Sequence, residues 1–239
     1  MVLLDRDQFK PEYLKLNPKA QVPTLVHDGK VIRESSIICD YLDDLAAEPL
    51  LKPKDAAARA LLREWIKDTD ESGYQAAASI NFVTKFRLEI PREKMEERWK
   101  KVPDIERLHR QQSCVLEGFE SPYVLRAVGA WDRIFKKMEE TLSDGRPWVM
   151  GEQFTLVETT SAPLIKVMEM LRLLHLWLEG RPNVQRWWES LTKRQSYTGL
   201  EEYPGQSEDD YASHAKAGAA AASEIEALLK KYRETIPQL

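Results

Sequence analysis

Cysteine is scarce: Cys39 and Cys114 are the only two in 239 residues. That excludes a scaffold stapled by several disulfides and suits a reducing compartment. Long apolar runs are missing too. The most hydrophobic stretch, 164–178, is interrupted by Lys166, Glu169, Arg172 and His175, well short of the roughly 18 uninterrupted apolar residues of a spanning helix. Residues 1–10 carry Asp5 and Asp7, where a secretory leader needs a basic start and an apolar middle. Charge of one sign is also lacking. The 35 basic and 39 acidic residues leave a net charge of −4, so no global basic field draws nucleic acid or an anionic membrane. The four histidines, His27, His109, His175 and His214, share no metal-ligand spacing. These absences describe a globular cytoplasmic protein with no membrane, nucleic-acid or metal partner expected. They leave its chemistry open.

The length fits one large domain or two small ones. Two β-rich runs, 24–26 and 30–33, flank Asp28-Gly29, a dipeptide that tolerates positive φ and predicts a tight hairpin. Residues 10–16 predict a short helix ended by Asn17-Pro18. After the hairpin, Ile37, Ile38, Tyr41, Leu42 and Leu45 recur at helical spacing, with Ser35 or Ser36 as the expected cap. From Lys54 onward the pattern is helical. One helix is expected from about Asp55 toward Phe86, and another carries Leu125, Val128, Trp131, Ile134, Phe135, Met138 and Leu142. Segment 87–121, charge-rich and broken by Pro91 and Pro103, reads as partly helical and exposed, and 143–151 as a loop. Residues 200–212 read as a linker to an amphipathic tail helix with Ala221, Ile225, Leu228, Leu229 and Tyr232 on one face. The expected division is 1–48, 54–200 and 201–239.

The chemistry concentrates between residues 17 and 42. A proline opening a strand, as in Val22-Pro23, cannot donate a ladder bond. A cis bond there would leave the Val22 N–H and C=O facing outward to pair with an extended peptide; an ordinary trans edge proline is the commoner state, and the dipeptide alone does not decide between them. Glu34-Ser35 stands where a strand enters a helix. The helix-start N–H groups and a serine hydroxyl suit a carboxylate, and an adjacent acid suits an ammonium. Together they match the two ends of an α-amino acid, or serve as a plain cap with a solvated acid.

Segment 16–42 as a whole resembles the glutathione-binding half of the cytosolic glutathione S-transferases. The resemblance implies that Pro23 is cis, that Val22 pairs its backbone with the cysteinyl part of glutathione, and that Glu34 and Ser35 hold its γ-glutamyl end. It places Gln21 and Lys10 near the glycyl end or the peptide backbone. Phe154-Thr155-Leu156-Val157-Glu158 resembles the family's late helix-start motif, with Glu158 where aspartate is usual; physically it is a capping box with a folding role. Segments 181–188 and 194–197 resemble the family's closing helices. The layout of 87–121 and of the tail is similar to that of the bacterial β-etherase branch, which uses glutathione to open aryl ethers.

The resemblance implies an α+β fold: a truncated thioredoxin-like N-terminal module followed by an all-α C-terminal domain. The family's opening strand, helix and strand need about 30 residues that are not found before Lys10, and that unit normally carries the residue activating the glutathione sulfur. The expectation is a start upstream of Met1, with the 239-residue form less stable than an extended one. No catalytic residue is assignable by motif, and Cys39 is expected to be a small buried apolar residue. Tyr74, Phe82, Phe86 and Trp131 are candidates for an apolar substrate pocket, with core packing the competing role. The expected activity is attack of glutathione thiolate on a small apolar electrophile by a homodimer. The rivals are a non-catalytic binding module on the same fold and a scaffold subunit.

Overall fold

A computed structural model describes residues 7–48, 50–199 and 208–235. Helix α1 (Pro11–Leu16) starts with proline at its first position, where the missing N–H costs nothing. It stops at Asn17, whose N–H still reaches the Tyr13 carbonyl. Strands β1 (Thr24–His27) and β2 (Lys30–Arg33) pair antiparallel with His27 opposite Lys30. Asp28 and Gly29 between them have φ of 49° and 73°, the two-residue turn whose twist matches the strands. Helix α2 (Ser35–Asp44) follows at once. The His27 ring and the Tyr41 hydroxyl meet at 2.7 Å, tying the hairpin to this helix.

Polar bolts join this segment to the helices beyond it. Asp43 accepts the N–H groups of Leu50 and Leu51 at 2.9 and 3.0 Å. Buried Lys52 reaches Asp44 and Asp40 at 2.5 and 3.1 Å. The Leu156 N–H donates to the Leu51 carbonyl at 3.0 Å.

The expected helix after Asp55 is present but not regular. It comprises α3 (Ala56–Asp68), capped by Asp55, then α4 (Tyr74–Asn81) and α5 (Arg87–Glu89), joined by π-type turns at Thr69–Gly73 and Phe82–Phe86. Each widened turn shifts the buried face, as such bulges do near functional sites. Segment 87–121 is more buried than its charge suggests. Helix α6 (Arg92–Trp99) anchors through Met95 and Trp99, and α7 (Ile105–Leu116) buries Arg110, Gln111, Ser113, Cys114 and Val115.

Helix α8 (Pro122–Thr141) is the central column, packed by α4, α7, α11 (Pro182–Thr192) and α13 (Glu208–Thr235). Its Trp131 and Phe135 stack with ring centroids 5.4 Å apart and no exposure. Helix α9 (Leu156–Met170) opens with the expected capping box: Glu158 accepts the Thr155 N–H at 2.9 Å while the Thr155 hydroxyl accepts the Val157 N–H. Short α10 (His175–Leu178), α11 (Pro182–Thr192) and α12 (Gln195–Thr198) complete the bundle. Helix α13 (Glu208–Thr235) begins earlier than expected, so 208–212 are helical; 200–207 lie outside the described residues. It buries Ala217, Ala221, Ile225 and Leu229. At Gly218 a Cβ would stand 1.7 Å from the Leu171 carbonyl oxygen, so this close crossing admits only glycine. No described helix is long and apolar enough to cross a membrane.

Candidate functional site

The loop between α1 and β1 is shaped by two side chains that converge on one carbonyl. The Tyr13 hydroxyl and the Asn17 amide both donate to the Gln21 carbonyl, the latter at 2.8 Å, and both also meet the Thr24 hydroxyl. Asn17 is 2% exposed, so its bonds are made away from competing water. The clamp fixes the chain immediately before Val22-Pro23, whose peptide bond is cis. Neither the N–H nor the C=O of Val22 has a hydrogen-bond partner among the described residues. Among the described residues this backbone pair is thus unengaged, beside the start of β1.

Glu34 follows β2 with φ of +68° and ψ of 124°, a region that costs a non-glycine residue about 1–3 kcal/mol. This kink turns the chain into α2. The expected serine cap is not formed: Glu34 occupies the cap position and no side chain bonds the helix start, leaving the first N–H groups of a ten-residue helix open. Ser36 instead donates to Asp70 at 2.5 Å.

These groups line one cleft of about 400 Å³. Gln21, Val22, Pro23, Glu34 and Ser35 stand on one wall; Asp70, Tyr74, Thr159, Pro163 and Leu164 stand on the other. Pro163 sits inside α9 and has no N–H. Gln21 donates to the Tyr74 hydroxyl at 3.2 Å, bridging the walls. The acids are unequal. Glu34 is paired with Lys19 at 2.7 Å in an exposed contact. Loss of solvent, then the charges of Glu34 and Glu71, push the Asp70 carboxyl above its ordinary range against the opposing Ser36 hydrogen bond. An ammonium arriving beside Asp70 would relieve that repulsion.

Of the site residues the sequence singled out, Gln21, Val22, Pro23, Glu34, Ser35 and Tyr74 line this cleft, and the others lie elsewhere. Lys10 is 2.5 Å from Asp7 beside Glu12 and Tyr13, because it stands at the N-terminal end of α1 while the Val22 loop leaves the other end. Of the substrate-pocket candidates only Tyr74 lines the cleft. Trp131 is fully buried in the α8 core and Phe82 stacks on Phe86 at 4.5 Å. Cys39 is half-buried and lines the cleft, which corrects the expectation of a core thiol; burial, then the Asp70 charge, raise its pKa. Asp70, Ser36 and Asn17 were missed. Asp70 lies in a π-type turn that helical periodicity cannot register.

The family model described as the glutathione S-transferase N-terminal domain matches residues 1–50, and the one described as the C-terminal domain of the same family matches 104–195. The chain belongs to the glutathione S-transferase family. Among curated relatives, Protein LigF of Sphingobium sp. (strain NBRC 103272 / SYK-6) is 44% identical over 75 residues, 29% of either chain. The matched regions span only 29–40% of the first curated relatives' own length. The crystal structure titled beta-etherase LigF from Sphingobium sp. strain SYK-6 superposes with a TM-score of 0.70 at 24% identity, covering 84% of this chain and 86% of that one. A glutathione transferase family member from Pseudomonas fluorescens, solved with two glutathione molecules bound, gives 0.63 at 20% identity, covering 85% and 80%. These likenesses carry the fold: a glutathione S-transferase C-terminal helical bundle behind the hairpin of its N-terminal domain.

Proposed function

We propose that the cleft binds glutathione and presents its sulfur to an apolar electrophile held against Pro163 and Leu164. The observation that carries this reading is the convergence on one cleft of Val22's unpaired backbone with a helix start and a pair of acids. Glutathione has the complementary parts in the same order. Its cysteinyl backbone pairs with Val22 as an added strand does. Its γ-glutamyl carboxylate meets the open N–H groups and hydroxyl at Ser35, and its ammonium lies between Glu34 and Asp70. Holding both ends fixes the sulfur near the reacting atom.

The likeness to the β-etherase favours an aryl ether as the electrophile. The glutathione sulfur would form a bond to carbon as the ether C–O bond breaks, and the departing aryloxide would take up a proton. A homodimer in the cytoplasm is part of the same reading. A binding module without turnover on the same fold is the second reading.

Calorimetric titration of the purified chain with glutathione tests the cleft. Ser35→Ala and Asp70→Asn are each expected to weaken binding about tenfold, about 1.4 kcal/mol. The sign for pH follows from Asp70. Its ionised form receives the ammonium, so affinity falls as pH drops through its raised pKa, above the ordinary 3.8. Asp70→Asn should abolish that dependence. Unchanged affinity in both variants would sink the assignment. Glutathione binding with no conversion of any aryl ether or aryl halide would leave the binding-module reading standing.

A further inference from the structure

Most of the tail helix α13 is held by apolar packing. Ala217, Ala221, Ile225 and Leu229 are buried, Gly218 crosses the Leu171 carbonyl, and the Asp132–Arg233 pair ties down the far end. The first two turns are held differently, by charge and hydrogen bonds. Lys85, on the Phe82–Phe86 turn and 16% exposed, reaches the Asp210 carboxylate at 3.1 Å and the His214 Nδ1 at 3.0 Å. Ser213 donates to Glu89 of α5. Lys166 of α9 lies over the Tyr211 ring at 5.6 Å.

His214 stands at the centre of this cluster with one ring nitrogen in two contacts. The same Nδ1 is 2.7 Å from the Asp210 carbonyl oxygen. That carbonyl needs a proton on the nitrogen, whereas the Lys85 ammonium needs its lone pair, so Nδ1 cannot satisfy both. Proton uptake decides between them. It gives the nitrogen to the carbonyl of its own helix and sets a second positive charge against Lys85. The charged groups facing the ring are Lys85, Asp210 and Glu89; Lys166 of α9 faces Tyr211, three residues earlier, and α8 meets α13 through Asp132 and Arg133 at the opposite end. Burial, then the Lys85 charge, hold the imidazole below its ordinary 6.5, against the pull of the Asp210 carbonyl and the two carboxylates.

We propose that His214 is a proton-operated latch: with a neutral ring the first turns of α13 are closed on the Phe82–Phe86 turn and α5, and proton uptake frees them while the rest of the helix stays docked. A detached histidine takes its proton near 6.5, and the docked ring resists it. Closure is therefore fully stable above 6.5 and is lost as pH falls through the lower docked value. Local opening confined to this end follows from its polar attachment, because the apolar seam beyond Ala217 does not titrate. The latch works whatever ligand the cleft takes.

Amide hydrogen exchange on the full chain, expressed as protection factors so that the intrinsic effect of pH cancels, tests it. Between about pH 7.5 and 5.5 the amides of 212–217 should lose protection several-fold, with about tenfold the ceiling set by one pH unit below the ordinary value. Those of 222–233 should not change. In His214→Gln, whose side chain cannot gain a charge, protection of 212–217 should be the same at both pH values. NMR titration of the ring is an independent readout: His214 should titrate below 6.5 in the parent and at higher pH in Lys85→Met, where the opposing cation is gone. Unchanged protection in the parent overturns the proposal. So does an equal loss in His214→Gln, which would assign the effect to carboxylates, or a ring titration that Lys85→Met leaves in place. Loss along the whole helix at once would make the event global unfolding and would overturn the latch as well.

Discussion

Between residues 7 and 48 the buried apolar side chains are few, Tyr13, Ala20 and Ile38, whereas the helices beyond Ala56 bury Trp131, Phe135, Trp177 and Trp187 to 1% exposure or less. Val22, Val26, Ile37, Leu42 and Leu45 of the first segment stay exposed. That segment is shaped by polar bonds: Tyr13 and Asn17 on the Gln21 carbonyl, Arg33 on the Leu16 carbonyl at 2.6 Å, and His27 against Tyr41. The cleft is built where the two kinds of structure meet. Backbone groups must be left unpaired to receive a peptide, which a densely packed core does not permit. The helical wall supplies the rigidity, through Asp43, Lys52 and the Leu156–Leu51 bond.

The contrast is broken most decisively by truncating one apolar side chain in each region. Trp131→Ala should cost about 3–5 kcal/mol, the usual loss for a large buried aromatic. Val26→Ala, at a side chain 50% exposed, should stay within about 0.5 kcal/mol. Urea unfolding measures both. Equal costs would mean that the hairpin has a core of its own.

Next in size is the ion cluster that pins the tail helix to the central column. Asp132 on α8 accepts from Arg181 at 2.7 Å and from Arg233 of α13 at 2.8 Å. Burial pushes its carboxyl up, but the two guanidinium groups outweigh that and hold it below the ordinary value. Asp132→Ala should cost about 3 kcal/mol by leaving Arg181 half-buried without its partner; Arg233, 38% exposed, adds little because water screens it. The folded pKa is depressed, so this stability is present above the unfolded value near 3.8 and is lost as pH falls through the folded one. Acid unfolding of Asp132→Asn should show a correspondingly smaller stability loss below pH ~4. An unchanged acid limb would remove Asp132 from the account.

The parts legible in the sequence are those specified locally. Asp28-Gly29 dictates its turn by φ alone, Thr155 and Glu158 dictate a cap across three residues, and the cleft residues Val22, Pro23, Glu34 and Ser35 fall within one continuous motif. Thr155→Ala should accordingly cost about 1 kcal/mol, read by thermal melting. The illegible parts depend on crossings between distant segments. Asp70 reaches the cleft because a π-type turn rotates it there, while Phe82 is turned inward by the next one. Arg110 belongs to a charge-rich run that reads as solvated, and only the packing of α7 on α4 and α8 buries it.

The smallest expected effect sharpens the comparison most, because it separates fold from function within a single ion pair. Lys19 and Glu34 face each other at 2.7 Å with side chains 62% and 53% exposed, and such pairs contribute about 0–1 kcal/mol to stability. Lys19→Ala should therefore leave the melting temperature nearly unchanged. It frees the Glu34 carboxylate at the cleft, however, and glutathione affinity should rise roughly two- to threefold, by up to about 0.6 kcal/mol. Salt near 1 M, where the screening length is about 3 Å, should erase the difference between variant and parent. A fall in affinity instead would mean that Lys19 holds a carboxylate of the peptide, and Glu34 would then position that lysine and leave the ammonium to Asp70 alone.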